Sequence, residues 1–159
     1  MVNSISGYGI TSTSQLYDLA DKLGLKLNYV GFAENLHTMI PKNGIYIINL
    51  GNNQIFGTHW TVLIINGNNA FYSDSYGAPP EDEIFDFVKK KKTRSQNGTS
   101  QERSAVHIKL DYNKDIQLQA IDENYCGIWA LLTSYYLIKK KGTLAERFNQ
   151  FASNFTDLS

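Results

Sequence analysis

Apolar positions near the start of the chain recur at helical spacing. Leu16, Leu19, Ala20 and Leu23 fall on one face, Ser12 to Ser14 offer oxygens for an N-terminal cap, and Gly24 stands where a left-handed C′ residue belongs. The pattern predicts an amphipathic helix over 16–23. Leu27 to Gly31 then reads as a short strand. Glu34 to Ile40 reads as a short helix stopped before Pro41, because the residue before a proline is pushed out of the helical region. Gly44-Ile-Tyr-Ile-Ile-Asn-Leu50 and Trp60-Thr-Val-Leu-Ile-Ile65 are nearly unbroken runs of β-branched and aromatic residues, as expected of strands covered on both faces. Asn66-Gly67-Asn68-Asn69 is a turn, and Ala70 to Ser73 is the returning arm of a hairpin.

Pro79-Pro80-Glu81-Asp82-Glu83 opens the next helix with early prolines and first-turn acids, and Lys89 to Lys92 close it where cations suit the C-terminal dipole. The polar stretch from Thr93 to Ser104 is expected to be a mobile loop. Ala105 to Leu110 alternates like a strand, and Ile116 to Ala120 is a further strand candidate. Cys126 to Lys141 is a strongly apolar helix ending at Gly142, after which Thr143 can cap a last helix running through Phe155. This order predicts an α+β fold, with a central mixed β-sheet flanked by helices and one buried helix. There is no internal repeat or linker, so residues 1–159 are expected to form one domain.

Composition adds limits. With 42 % apolar and 13 % aromatic residues, the chain has the makeup of a packed core rather than of disorder. The formal net charge is zero, so global charge predicts no nucleic-acid partner. The lysine runs 89–92 and 139–141 read first as solvated helix ends and second as a local DNA contact. Cys126 is the single cysteine, which rules out an internal disulfide and suits a reducing, intracellular compartment. The N-terminus has neither a basic n-region nor an apolar h-region, so no signal peptide is expected. The apolar runs are too short to span a bilayer, and no membrane association is expected. One cysteine and three scattered histidines form no ligand cluster, so neither a metal nor a cofactor is expected.

Three segments concentrate chemistry: Gly57-Thr-His59-Trp60, Tyr72-Ser-Asp74-Ser-Tyr-Gly77 and Gln119-Ala-Ile-Asp-Glu-Asn-Tyr-Cys126-Gly127. His59 precedes a predicted strand, Asp74 ends the paired strand, and Cys126 begins a helix. Hairpin pairing would bring 59–60 beside 73–74, so His59 and Asp74 could meet. A helix N-terminus and a neighbouring imidazolium both stabilise a thiolate, which is the nucleophilic form of cysteine. A carboxylate on the second ring nitrogen fixes the histidine's tautomer. Gln119 could aim an amide N–H at a developing oxyanion, with the Cys126 backbone N–H as the second donor. Each residue alone has a plainer role: a core thiol, a surface histidine, a turn-capping aspartate. His37 and His107 lack such surroundings and read as structural.

In this order the residues resemble the adenovirus endopeptidase and the related Ulp1-type SUMO proteases. Gly-Thr-His59-Trp60 is similar to that clan's histidine motif, and Ser-Asp74-Ser-Tyr-Gly77 to its acidic motif. Gln119 lies seven residues before Cys126, a spacing that resembles the adenovirus branch. The Leu-Gly and later Gly-Phe within Leu19 to Phe32 extend the likeness, which spans most of 16–137. Asp74 in place of the adenovirus Glu resembles the Ulp1 side, and there is no second cysteine for a disulfide-linked activator. The resemblance implies a cysteine protease with His59 as base, Asp74 orienting it, Gln119 in the oxyanion hole and Cys126 as nucleophile. It implies Trp60 beside the site, and protein substrates: capsid or other structural precursors of a virus or virophage, cut at Gly-containing sites. A Ulp1-like isopeptidase acting on ubiquitin- or SUMO-like tails is the alternative, and a non-enzymatic DNA-binding module a third. A monomer is expected, in the virion, host cytoplasm or virus factory, with any peptide or DNA activator bound non-covalently.

Overall fold

The computed structural model describes residues 12–51, 59–93, 108–114, 116–118, 125–139 and 142–156. Helix α1 covers Thr13–Leu23 and begins in a capping box: Gln15 N–H donates to Ser12 Oγ at 3.2 Å, and Ser12 N–H donates to Gln15 Oε1 at 2.8 Å. It ends at Gly24, whose φ of +73° is the left-handed conformation that glycine adopts without a Cβ penalty.

Five strands follow: β1 Leu27–Phe32, β2 Gly44–Asn49, β3 Trp60–Asn66, β4 Asn69–Ser73 and β5 Lys109–Tyr112. They lie in the order β1-β2-β3-β4-β5, parallel at the two outer pairs and antiparallel at the two inner ones. The sheet is therefore mixed, and the fold α+β, as the sequence pattern predicts. Residues of β2 and β3 are buried on both faces. Ile45, Ile47, Val62, Ile64 and Phe71 pack towards α1 and two later helices. Tyr46, Ile48, Leu63, Ile65 and Tyr72 face a 3-10 turn at Ala33–Thr38 and helix α2, Asp82–Thr93. Each such side chain contributes about 1.5–3 kcal/mol on burial, which is why these strands carry apolar residues without alternation.

Lys90, from the lysine run that closes α2, donates to the carbonyls of Leu36, His37 and Met39. It thereby satisfies the end of the 3-10 turn. One cation of that run is built into the fold rather than left as a solvated face.

Helix α3, Cys126–Lys139, crosses β3, and α4, Leu144–Thr156, packs against it. Thr143 and Glu146 form a second capping box at the start of α4. Arg147 Nη1 donates to the Leu137 carbonyl at 2.7 Å near the end of α3. Helix α3 is the helix packed on the sheet, as expected, and its burial is one-sided. Ala130, Leu131, Thr133, Ser134 and Leu137 face inward, whereas Leu132, Tyr135 and Ile138 are exposed. The helix is apolar all round in sequence, but only one side meets the sheet.

Two strand boundaries also differ. The strand predicted over 105–110 is observed at Lys109–Tyr112, because its parallel partner β4 begins at Asn69, opposite Lys109. Residues 105–107 lie outside those described. Residues 116–118 form no strand. Ile116 N–H bonds back to the Asn113 carbonyl at 3.0 Å, turning the chain off the sheet edge, and Leu118 N–H meets the Ser75 carbonyl at 2.7 Å. The segment thus runs along the loop after β4. The polar stretch over 94–104 lies outside the described residues, as do His107 and Lys140 to Lys141.

Candidate active site

His59 sits immediately before β3. Its carbonyl accepts the Leu50 N–H at 2.9 Å, so the β2–β3 ladder fixes its main chain. Asp74 follows β4 and opens a tight turn. The Gly77 N–H returns to the Asp74 carbonyl at 2.7 Å, and the Tyr76 N–H donates to Asp74 Oδ1 at 2.8 Å. Gly77 has φ +83°, and a Cβ there would meet the Ile116 carbonyl oxygen at 3.1 Å, so both conformation and space call for glycine. Pairing of Val62 with Ser73 sets the hairpin's register and brings the two chain ends alongside one another.

His59 Nε2 lies 2.9 Å from Asp74 Oδ1, and the two residues are 3 % and 2 % exposed. The Tyr76 ring stacks on the imidazole, with centroids 4.8 Å apart and planes 16° from parallel. Cys126 is the first residue of α3 and is 6 % exposed. Its Sγ accepts the backbone N–H of Trp60 at 3.3 Å. Trp60 itself is buried beside it in the same core, where the resemblance places it.

The electrostatics follow. Burial works against a charged imidazole, but hydrogen bonds and charges from Asp74 and Cys126 outweigh it and push His59 up to about 9. Protonated His59 is therefore favoured at neutral pH, with the carboxylate on Nε2 and the Nδ1 side left for Cys126. Such a cluster can hold a thiolate beside an imidazolium, at a helix N-terminus and with a backbone donor on the sulfur.

Three of the four sequence-derived site residues, His59, Asp74 and Cys126, are brought together. Gln119 lies outside the described residues, as do Gly57 and Thr58. Leu118, the residue before Gln119, is anchored to Ser75 beside Asp74. His37 is away from the site, with Nδ1 on the Glu34 carbonyl of its own turn at 2.6 Å. Among the described residues, no group of three His, Cys, Asp or Glu is placed to hold a metal ion. Sequence reasoning missed Tyr76 as a ring partner of His59, although the hairpin register could have pointed to it. It also missed Asn113, whose buried amide meets the main chain of Asp74. In the sequence, Asn113 reads only as a turn residue after a strand.

No family model matches the chain, and no curated protein matches it. Solved structures that it is similar to include two crystal structures of the ASFV pS273R protease. The selenomethionine form is 16 % identical with a TM-score of 0.39, covering 72 % of this chain and 45 % of that one. The other is 14 % identical with a TM-score of 0.46, covering 91 % of this chain and 64 % of that one. The chain thus spans less than two thirds of the length of either. These likenesses concern the fold, and the reading of the site rests on its own geometry.

Proposed function

We propose that this chain is a cysteine endopeptidase in which Cys126 is the nucleophile, His59 the acid–base group and Asp74 the residue that orients it. The observation that carries the reading is the convergence of Asp74 Oδ1, the His59 ring and Cys126 Sγ, the last at a helix N-terminus. In this reading the thiolate attacks the scissile carbonyl carbon, and a tetrahedral intermediate places negative charge on its oxygen. Gln119 and the Cys126 N–H are proposed as donors to that oxygen. As the intermediate collapses, the C–N bond breaks and His59 Nδ1 gives its proton to the leaving amine. Neutral His59 then takes a proton from water, whose oxygen attacks the thioester. The acid departs and the imidazolium–thiolate pair returns.

The substrate proposed is a viral structural precursor cut at Gly-containing sites, from the resemblance to the adenovirus endopeptidase. The chain is proposed to act as a monomer within the virion or host cytoplasm. Any activator is proposed to bind non-covalently, because disulfide capture would consume the only cysteine. The Ulp1-like alternative would use the same residues on a modifier tail.

The deciding experiment treats the protein with a peptide carrying a thiol-directed warhead and maps the adduct. It then compares cleavage of a capsid precursor with that of a SUMO fusion, with and without reductant. The expected result is an adduct on Cys126 and reductant-supported cleavage of the precursor. Absence of any adduct in folded protein would overturn the protease reading. Cleavage of the SUMO fusion alone would favour the isopeptidase.

A further inference from the structure

The main-chain ladder between β4 and β5 ends at Tyr72 and Tyr112. One residue beyond β5, the side chain of Asn113 takes over. Its Oδ1 accepts the Asp74 N–H at 3.1 Å, and its Nδ2 donates to the Asp74 carbonyl at 2.6 Å and the Ile116 carbonyl at 2.9 Å. Asn113 is 1 % exposed. A carboxamide is the short side chain that offers both a donor and an acceptor, so it can imitate the peptide group that a longer β5 would have supplied.

We infer that Asn113 is the positioning residue of the site: its amide clasps both main-chain groups of Asp74 and so fixes where the carboxylate meets His59. This rests on the site reading above. Among the described residues the Asn113 side chain bonds to Asp74 and Ile116, and it acts on the site through Asp74. Asp74 Oδ1 receives the His59 ring and the Tyr76 N–H from one residue whose N–H and C=O are both held. A carboxylate so fixed loses little freedom on pairing with the imidazolium, which is the meaning of preorganisation here. The same amide also holds the Ile116 carbonyl, and two residues further Leu118 bonds to Ser75. Asn113 thereby ties the acid's turn to the segment that leads to Gln119. Replacement by Asp would remove the donor and set an oxygen against two carbonyls, while replacement by Ser would be too short to span both groups of Asp74.

The test combines NMR titration of the His59 ring with steady-state cleavage kinetics for the wild type, Asn113→Asp and Asn113→Ser. Fold is checked by circular dichroism. In folded Asn113→Ser the His59 midpoint should fall by about one pH unit, because the carboxylate no longer holds the charged ring as closely; in Asn113→Asp the added carboxylate opposes that fall, so kcat is the readout there. The kcat should drop roughly 10- to 100-fold with little change in KM. A purely structural role for Asn113 would lower the melting temperature and leave the Asn113→Ser midpoint in place, and that result would overturn the inference. Should neither variant fold, the wild type still decides. Its Asn113 side-chain amide signals should exchange slowly and shift with the same midpoint as the His59 ring, and fast exchange or a flat titration would sink the idea. A wild type that cleaves nothing and forms no warhead adduct, with a His59 midpoint that moves in Asn113→Ser, would leave Asn113 standing and remove the protease reading.

Discussion

His59 Nε2 meets Asp74 Oδ1 at 2.9 Å across the open end of the β3–β4 hairpin, and the pair is closed off from water. The contact is diagonal. Val62 pairs with Ser73, so Asp74 stands beyond the last rung and His59 reaches across to it. Tyr76, brought round by the turn, covers the ring face. The hairpin supplies the reach, and the turn supplies the angle.

Asp74→Asn should therefore cripple turnover less than His59→Ala does. The carboxylate orients and stabilises the imidazolium but moves no proton, so some thiolate chemistry survives its loss. In a serine protease the corresponding change costs about 10⁴ in kcat. Single-turnover kinetics on both variants would check this. Equal and complete loss would mean that Asp74 is required for folding or for forming the thiolate. Near wild-type activity would mean that another carboxylate, such as Asp122, takes the role.

Cys126→Ala should abolish cleavage, by a factor on the order of 10⁶ if subtilisin is a guide, while leaving the fold intact. Only the sulfur is lost, and the Trp60 N–H loses its acceptor. His59 should also titrate lower in this variant, since Cys126 helps to raise it. Cleavage at a wild-type rate by the purified variant would refute the assignment of the nucleophile.

Stability should fall as pH rises past neutrality. His59 is held at about 9 in the fold against about 6.5 unfolded. A raised value contributes stability that is fully present below about 6.5 and is lost as pH climbs through about 9, on the order of 3 kcal/mol. Urea unfolding at several pH values, in wild type and in Asp74→Asn, isolates the contribution of the pair, because groups away from the site contribute alike to both curves. The difference between the two should shrink across that window, and parallel curves would count against the pair as its source.

Much of this arrangement is legible in the sequence for local reasons. The β2 and β3 runs announce double-sided burial, and the helix caps at Ser12, Gly24 and Thr143 sit where side-chain oxygens and glycine require them. His59, Asp74 and Cys126 stand at element boundaries, where a hairpin and a helix start can bring them together. What the pattern did not carry depends on non-local partners. The placement of β5 is set by the length of β4, which its own residues do not encode. The exposed side of α3 is chemically like its buried side, so only the position of the sheet decides between them. Asn113 pairs with the main chain of Asp74, and a main-chain partner leaves no mark in residue type.

Gln119→Ala should lower kcat far more than it raises KM, because an oxyanion exists only after attack. One such donor is worth roughly 3–4 kcal/mol in serine-protease mutagenesis. Gln117 is the rival, two residues upstream and on the exposed side of a segment whose Leu118 is buried. Kinetics on both alanine variants decides between them, and a larger kcat loss from Gln117→Ala would reverse the choice.

Gly77→Ala and Gly67→Ala separate backbone strain from active-site geometry. Both glycines have positive φ, +83° and +64°, so a methyl group strains either one. At Gly67, in the β3–β4 turn, nothing lies within 4 Å of the added Cβ, and the cost should be about 1 kcal/mol of stability alone. At Gly77 the Cβ would also press on the Ile116 carbonyl oxygen at 3.1 Å, a main-chain atom that no side-chain rotation can move aside. Relief must come from shifting the turn or the 116–118 segment, and both are bonded to Asp74 or Ser75. Gly77→Ala should thus cost more stability, about 1–3 kcal/mol, and lower kcat as well. Gly67→Ala should leave kcat unchanged. Denaturant midpoints and cleavage rates measured together test the pair, and equal kcat in both variants would show that the turn's placement of Asp74 tolerates the shift.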